Sequence, residues 1–173
     1  MRRVLLPLFI GILFLTLQAT LLTSAPVRRI RPDLILILTL YWGLSSPLIS
    51  GGILAFLLGF LIDLFSGNAF GIYTFSRPLL FFLAHLFKGR FYLENFPSQF
   101  LFAFLFALLE GLLILTLLSG LNPEPVGNLY PSMLTFLVPQ SLTTGLTTPI
   151  VFYFLQKASS LPLGRHGVMK ERG

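Results

Sequence analysis

Residues 33–67 read DLILILTLYWGLSSPLISGGILAFLLGFLIDLFSG. Between Asp33 and Asp63 no residue is charged. As one helix, Asp33 to Phe65 would extend roughly 50 Å, against a membrane core about 30 Å thick. Gly43, Ser45-Ser46-Pro47 and Ser50-Gly51-Gly52 interrupt the run. Two short helices, 33–45 and 47–65, joined at the Ser-Ser-Pro turn, fit better. Pro32 is expected to open the first and Pro47 the second, since the first turn of a helix does not need that N–H. Tyr41 and Trp42 are then expected near a membrane interface, where amphipathic rings are favoured. Ser66-Gly67-Asn68 stops the second helix.

Working outward, four more apolar runs have about the length a membrane helix needs. They cover 4–22, 69–87, 99–119 and 132–156. The first, behind Arg2 and Arg3, has the outline of a signal peptide. Its length, and Pro26 after Thr23-Ser24-Ala25, favour a retained helix. Segment 91–97 is expected to lie at the interface, and 120–131 reads as a loop.

The totals agree. Of 173 residues, 55% are hydrophobic and 10% charged, where soluble domains carry about 25% charged. The mean hydropathy is +0.87. The expected fold is an all-α integral membrane protein, a compact bundle of six transmembrane helices. It forms one domain over residues 1–156, followed by a basic cytoplasmic tail, 157–173. Cysteine is absent, which removes disulfides and thiolate chemistry. The net charge of +6 fits helix flanks rather than nucleic-acid binding, because no basic cluster is expected to be interleaved with exposed aromatics.

Six spans place both termini on one side, with Arg2, Arg3, Lys88, Arg90, Lys157, Arg165, Lys170 and Arg172. The other side holds Arg28, Arg29 and Arg31, and Arg77 if it is counted there. The positive-inside rule makes the richer side cytoplasmic. A five-span alternative would split the tail from Arg2 and Arg3. The Arg28–Arg31 cluster suits anionic head groups, a partner or simple solvation equally.

Polar residues inside spans carry the information, because lipid penalises them. Of Gln18, Asp63, Arg77, Glu110, Gln140 and Thr143-Thr144, Arg77 and Glu110 fall near mid-span, and the set as a whole favours the outer half of the bundle. An ionised Glu110 at mid-membrane needs a partner, and Arg77 is the cation at comparable depth. A buried Arg77–Glu110 pair is therefore expected, either locking helix register or serving as a proton or ion relay. Pro47, Gly51, Ala55, Gly59, Asp63 and Gly67 recur every four residues along one slowly turning helix face. Such a small-residue seam admits a close backbone, within the bundle or from a partner. Gly51→Leu or Gly59→Leu would close it. His85 and His166 lack neighbours at metal-ligand spacing. No nucleophile elbow, His-Glu-x-x-His or phosphate loop occurs, so no catalytic, cofactor or metal residue is assigned.

Two stretches together resemble a known family. They are Arg31-Pro32-Asp33 with its apolar run to Tyr41-Trp42, and Gly59-x-x-x-Asp63-x-x-Ser66-Gly67 followed by Phe70-Gly71. With the length, Gln18 late in the first helix and an acid in the fifth, they look like the rod shape-determining protein MreD family. That resemblance implies a fold similar to the six-helix substrate-binding subunits of energy-coupling-factor transporters. It implies a non-catalytic scaffold of the bacterial inner membrane that associates with the single-pass protein MreC. Through MreC it would reach MreB filaments and the peptidoglycan polymerase and transpeptidase. The alternative is a solute-binding or transport subunit with a polar pocket in the outer half.

Overall fold

The computed structural model describes residues 9–16, 32–66, 71–89, 95–121, 135 and 137–159. Those residues are helical with short connections, and no strand occurs among them. Residues 9–16 form α1. The others are α2 (Leu34–Ser45), α3 (Leu48–Ser66), α4 (Ile72–Leu86), α5 (Phe96–Leu121) and α6 (Val138–Ser159). Gln18, the Arg28–Arg31 cluster, Gly67, loop 122–131 and the tail beyond 159 lie outside the described residues.

The turn at Ser46-Pro47 splits the long apolar stretch as expected. Helix α2 starts one residue after Asp33, whose carboxylate accepts the Leu36 N–H at 2.9 Å. Pro32 therefore stands outside the helix and Asp33 is its N-cap. Ser46 closes α2 by donating its backbone N–H to the Trp42 carbonyl at 2.8 Å. Twelve residues rise only ~18 Å. From Ile35 to Leu44 every one is buried. A helix apolar on all sides belongs inside a protein. α2 is accordingly the central helix, in contact with α3, α4, α5 and α6. Tyr41 and Trp42 are buried with it, Tyr41 edge-on to Phe152 at 5.4 Å between centroids. They are packing residues rather than exposed interface anchors.

Around α2 stand two antiparallel pairs, α3 with α4 and α5 with α6. The core joins Leu36, Leu38 and Leu40 of α2 to Leu54 and Leu58 of α3, Leu80 and Phe81 of α4, and Phe152 of α6. α2 and α4 run parallel and close. A methyl group on Gly43 would meet the Ala84 side chain and the Phe81 carbonyl. At that end His85 Nδ1 lies 2.9 Å from the Gly43 carbonyl, and Lys88 Nζ donates to the Ser46 carbonyl at 3.0 Å. Both groups serve carbonyls left open at a helix C-terminus.

Two helices, α3 over Leu48–Phe65 and α5 over Phe96–Gly120, are long and apolar enough to cross a membrane, and most of each lies outside the buried core. Ile49, Ile53 and Phe56 of α3 and Leu101, Leu105, Leu109 and Leu112 of α5 are exposed. α2 is apolar but too short. Ser and Thr dilute the apolar sequence of α6. Their hydroxyls bond within the helix, as in Thr147 to the Thr143 carbonyl and Thr148 to the Thr144 carbonyl, both at 2.7 Å.

The small-residue seam faces α4. A methyl on Gly59 would overlap the backbone carbonyl of Tyr73, and one on Gly51 the far edge of the Phe81 ring. Ala55 is fully buried between them. The seam is thus occupied by the chain itself. A ring can pivot and a helix carbonyl cannot. Gly59→Ala is expected to cost about 3 kcal/mol. Gly51→Ala should cost about 1 kcal/mol or less, since alanine's helix propensity offsets part of the crowding. Thermal unfolding in detergent measures both, and equal losses would contradict the assignment.

Candidate functional site

The N-terminal ends of α2, α4 and α6 meet the end of α3 and the middle of α5, and the buried charged residues among those described, Asp63, Arg77 and Glu110, collect there. Arg77, one and a half turns into α4, is 1% exposed. Its Nη2 donates to Asp33 Oδ2. Its Nε lies 3.2 Å from Glu110 Oε1. The second contact is ionic only, because the N–H is not aimed at the oxygen and neither atom makes a hydrogen bond. Arg77 Nη1 is also without a hydrogen bond. The guanidinium lies 5.7 Å from the centroid of the Tyr73 ring, one turn earlier, within cation–π range.

The contact expected between Arg77 and Glu110 is therefore present, but the hydrogen-bonded partner is Asp33. That residue holds three elements at once. It caps α2, pairs with α4, and its backbone N–H donates to Thr144 Oγ1 of α6 at 3.1 Å. Proximity to Arg77 could not be read from sequence, because the two residues are 44 positions apart. The available signal was local, an acid at the head of an apolar run.

Asp63 forms a second, separate centre, 2% exposed. It accepts backbone N–H groups from Gly71 at 3.2 Å, Tyr73 at 3.1 Å and Thr74 at 2.8 Å, and the Thr74 hydroxyl as well. Among the described residues it makes no ion pair. Its charge is met by the amides and positive dipole end of α4. Gly71 precedes that helix at φ +100° with open space where a side chain would stand. Glycine is needed there for its left-handed backbone rather than for room. The Gly-x-x-x-Asp motif with its trailing Phe-Gly thus acquires a physical reading: Gly59 admits α4, Asp63 caps it, and Gly71 turns the chain into it.

Beside the ion cluster lies a cavity of about 190 Å³. Asp33, Tyr73, Glu110, Gln140, Ser141 and Thr144 form its polar wall, and Leu36, Ala107, Ile114, Leu115 and Leu137 much of its apolar wall. Gln140, expected inside the bundle, is an exposed residue at the start of α6 that still borders this cavity. Its position in the first turn of the helix keeps it near the rim. Ser141 and Tyr73 were not singled out from sequence, since a lone serine or tyrosine in an apolar run carries no depth signal. Three or more metal-ligating side chains are not grouped anywhere among the described residues.

The two motifs are thus spent on helix caps, one buried ion cluster and one close helix contact. Neither the curated proteins nor the solved structures match the chain. The family model described as rod shape-determining protein MreD matches residues 1–158, nearly the whole chain, and the protein therefore belongs to the MreD family of rod shape-determining proteins.

Proposed function

We propose that this chain serves rod-shape determination as a non-catalytic scaffold of the cell-elongation complex in the bacterial inner membrane. It crosses the membrane several times with both termini in the cytoplasm, and docks the transmembrane helix of an MreC-like single-pass partner. Through that partner it helps to control peptidoglycan synthesis and reaches MreB filaments. The observation that carries this reading is the apolar outward face of α3 and α5 in a member of this family. The seam of small residues faces inward, so a partner helix is left the larger side chains of these outward faces. Lipid covers the remainder.

Co-purification tests it. A photoreactive residue at Leu105 or Phe56 is expected to crosslink to the partner, and the position that does so identifies the docking face. Failure of the partner to co-purify, with a small molecule retained by the purified chain, would favour the second reading. That reading, a solute-binding or transport subunit, is supported by the cavity beside the ion cluster and calls for an associated ATPase module.

A further inference from the structure

We propose that the cavity beside the ion cluster binds a small organic cation, a primary ammonium carried on a short apolar stem. On its polar wall Tyr73 and Gln140 can donate as well as accept, while Ser141, Thr144 and an ionised Glu110 can only accept. Ser141 Oγ donates its proton to the Leu137 carbonyl at 2.8 Å, and Thr144 Oγ1 donates to the Gln140 carbonyl at 2.8 Å. Both hydroxyl protons are therefore committed within α6. The hydroxyl of Ser141 has only lone pairs to offer inward. Glu110 is 4% exposed and lines the cavity, and its Oε1 accepts no hydrogen bond. A ligand seated against Glu110 and Ser141 must donate hydrogen bonds.

Charge points the same way. Asp33 and Glu110 surround one guanidinium, so with both acids ionised the cluster has a formal charge of −1. Glu110 can hold its charge in this buried setting only with a compensating cation beside it. Arg77 supplies one and is already shared. A bare inorganic ion would suit the carboxylates but not the space. About 190 Å³ exceeds the ~150 Å³ cavity that takes a benzene-sized molecule. Leu36, Ala107 and Leu115 give the ligand's stem an apolar bed. The proposal holds for a scaffold and for a transport subunit alike, and its test is independent of partner co-purification.

The full chain in amine-free detergent is titrated with n-butylamine, n-butanol and sodium chloride while thermal unfolding is followed. The butylammonium ion is expected to raise Tm saturably, by on the order of 5 °C at a hundredfold excess over Kd. Butanol and sodium chloride at equal concentration should do much less. Glu110→Gln, which removes the charge, and Ala107→Leu, which fills the cavity while keeping every charged residue in place, should each abolish the shift. A parallel arm compares phosphatidylglycerol nanodiscs with and without phosphatidylethanolamine. Stabilisation there without any response to butylamine assigns the ammonium to a lipid head group. Four results would overturn the proposal. They are an equal shift from butanol, an equal shift from sodium chloride, no shift in any amine arm, or a shift that survives both substitutions.

Discussion

Arg77→Met is expected to be among the most damaging single substitutions in this chain, at a cost of about 3–5 kcal/mol, seen as a collapse of Tm in detergent or of accumulation in the membrane. Two carboxylates from different helices face one guanidinium, and removing it leaves two like charges without a cation. α2, α4 and α5 lose the group that joins them. Arg77→Lys should rescue only in part, because an ammonium cannot reach two acids with the planar fork of arginine. The acids differ in weight. Asp33 receives a hydrogen bond from Arg77, while Glu110 makes an ionic contact alone. In double-mutant cycles the coupling of Arg77 to Asp33 should therefore exceed its coupling to Glu110. Arg77→Met combined with Glu110→Gln should recover part of the loss. A double mutant no better than Arg77→Met would remove Glu110 from the cluster's energetics.

How far this site was legible in the sequence depended on the kind of signal each residue carried. Glu110 and Arg77 could be paired from depth alone, because hydrocarbon makes an unpartnered charge improbable at mid-span. Asp33 could be read as the head of α2 but not as the partner of Arg77. That contact exists because α2 runs parallel to α4 with another helix between them in sequence, and no periodicity encodes such an adjacency. The small-residue seam was legible as a face, through its spacing of four, while the backbone filling it was not. Tyr41 and Trp42 misled because their amphipathic rings suit an interface. The position of α2 at the centre of the bundle overrides that preference and makes them core. Gln140 misled the other way. A polar residue near the start of α6 can stay exposed and still border a buried cavity.

Asp63→Ala is expected to rival the loss of Arg77, by a different route. No cation is orphaned, because Asp63 pairs with backbone instead. Three amides at the start of α4 and the Thr74 hydroxyl converge on one carboxylate. Each buried donor left without an acceptor costs about 1–3 kcal/mol. Water entering the space would satisfy some of them, so a total of ~3 kcal/mol or more is expected. The carboxylate also anchors the neighbouring ion cluster, since Tyr73 and Arg77 lie on the first two turns of α4 and take their aim from that helix. Asp63→Asn keeps one acceptor oxygen but turns an amide donor toward other donors, and should lose about half as much. Thr74→Val removes a single hydrogen bond, worth about 1 kcal/mol. Hydrogen exchange distinguishes this account from general loss of packing. In Asp63→Ala the amides of Gly71, Tyr73 and Thr74 should lose protection before those in the middle of α4, because α4 is released from its first turn. Loss of protection along all of α4 at once, or an Asp63→Ala variant no less stable than Thr74→Val, would mean that the carboxylate does not hold the start of that helix.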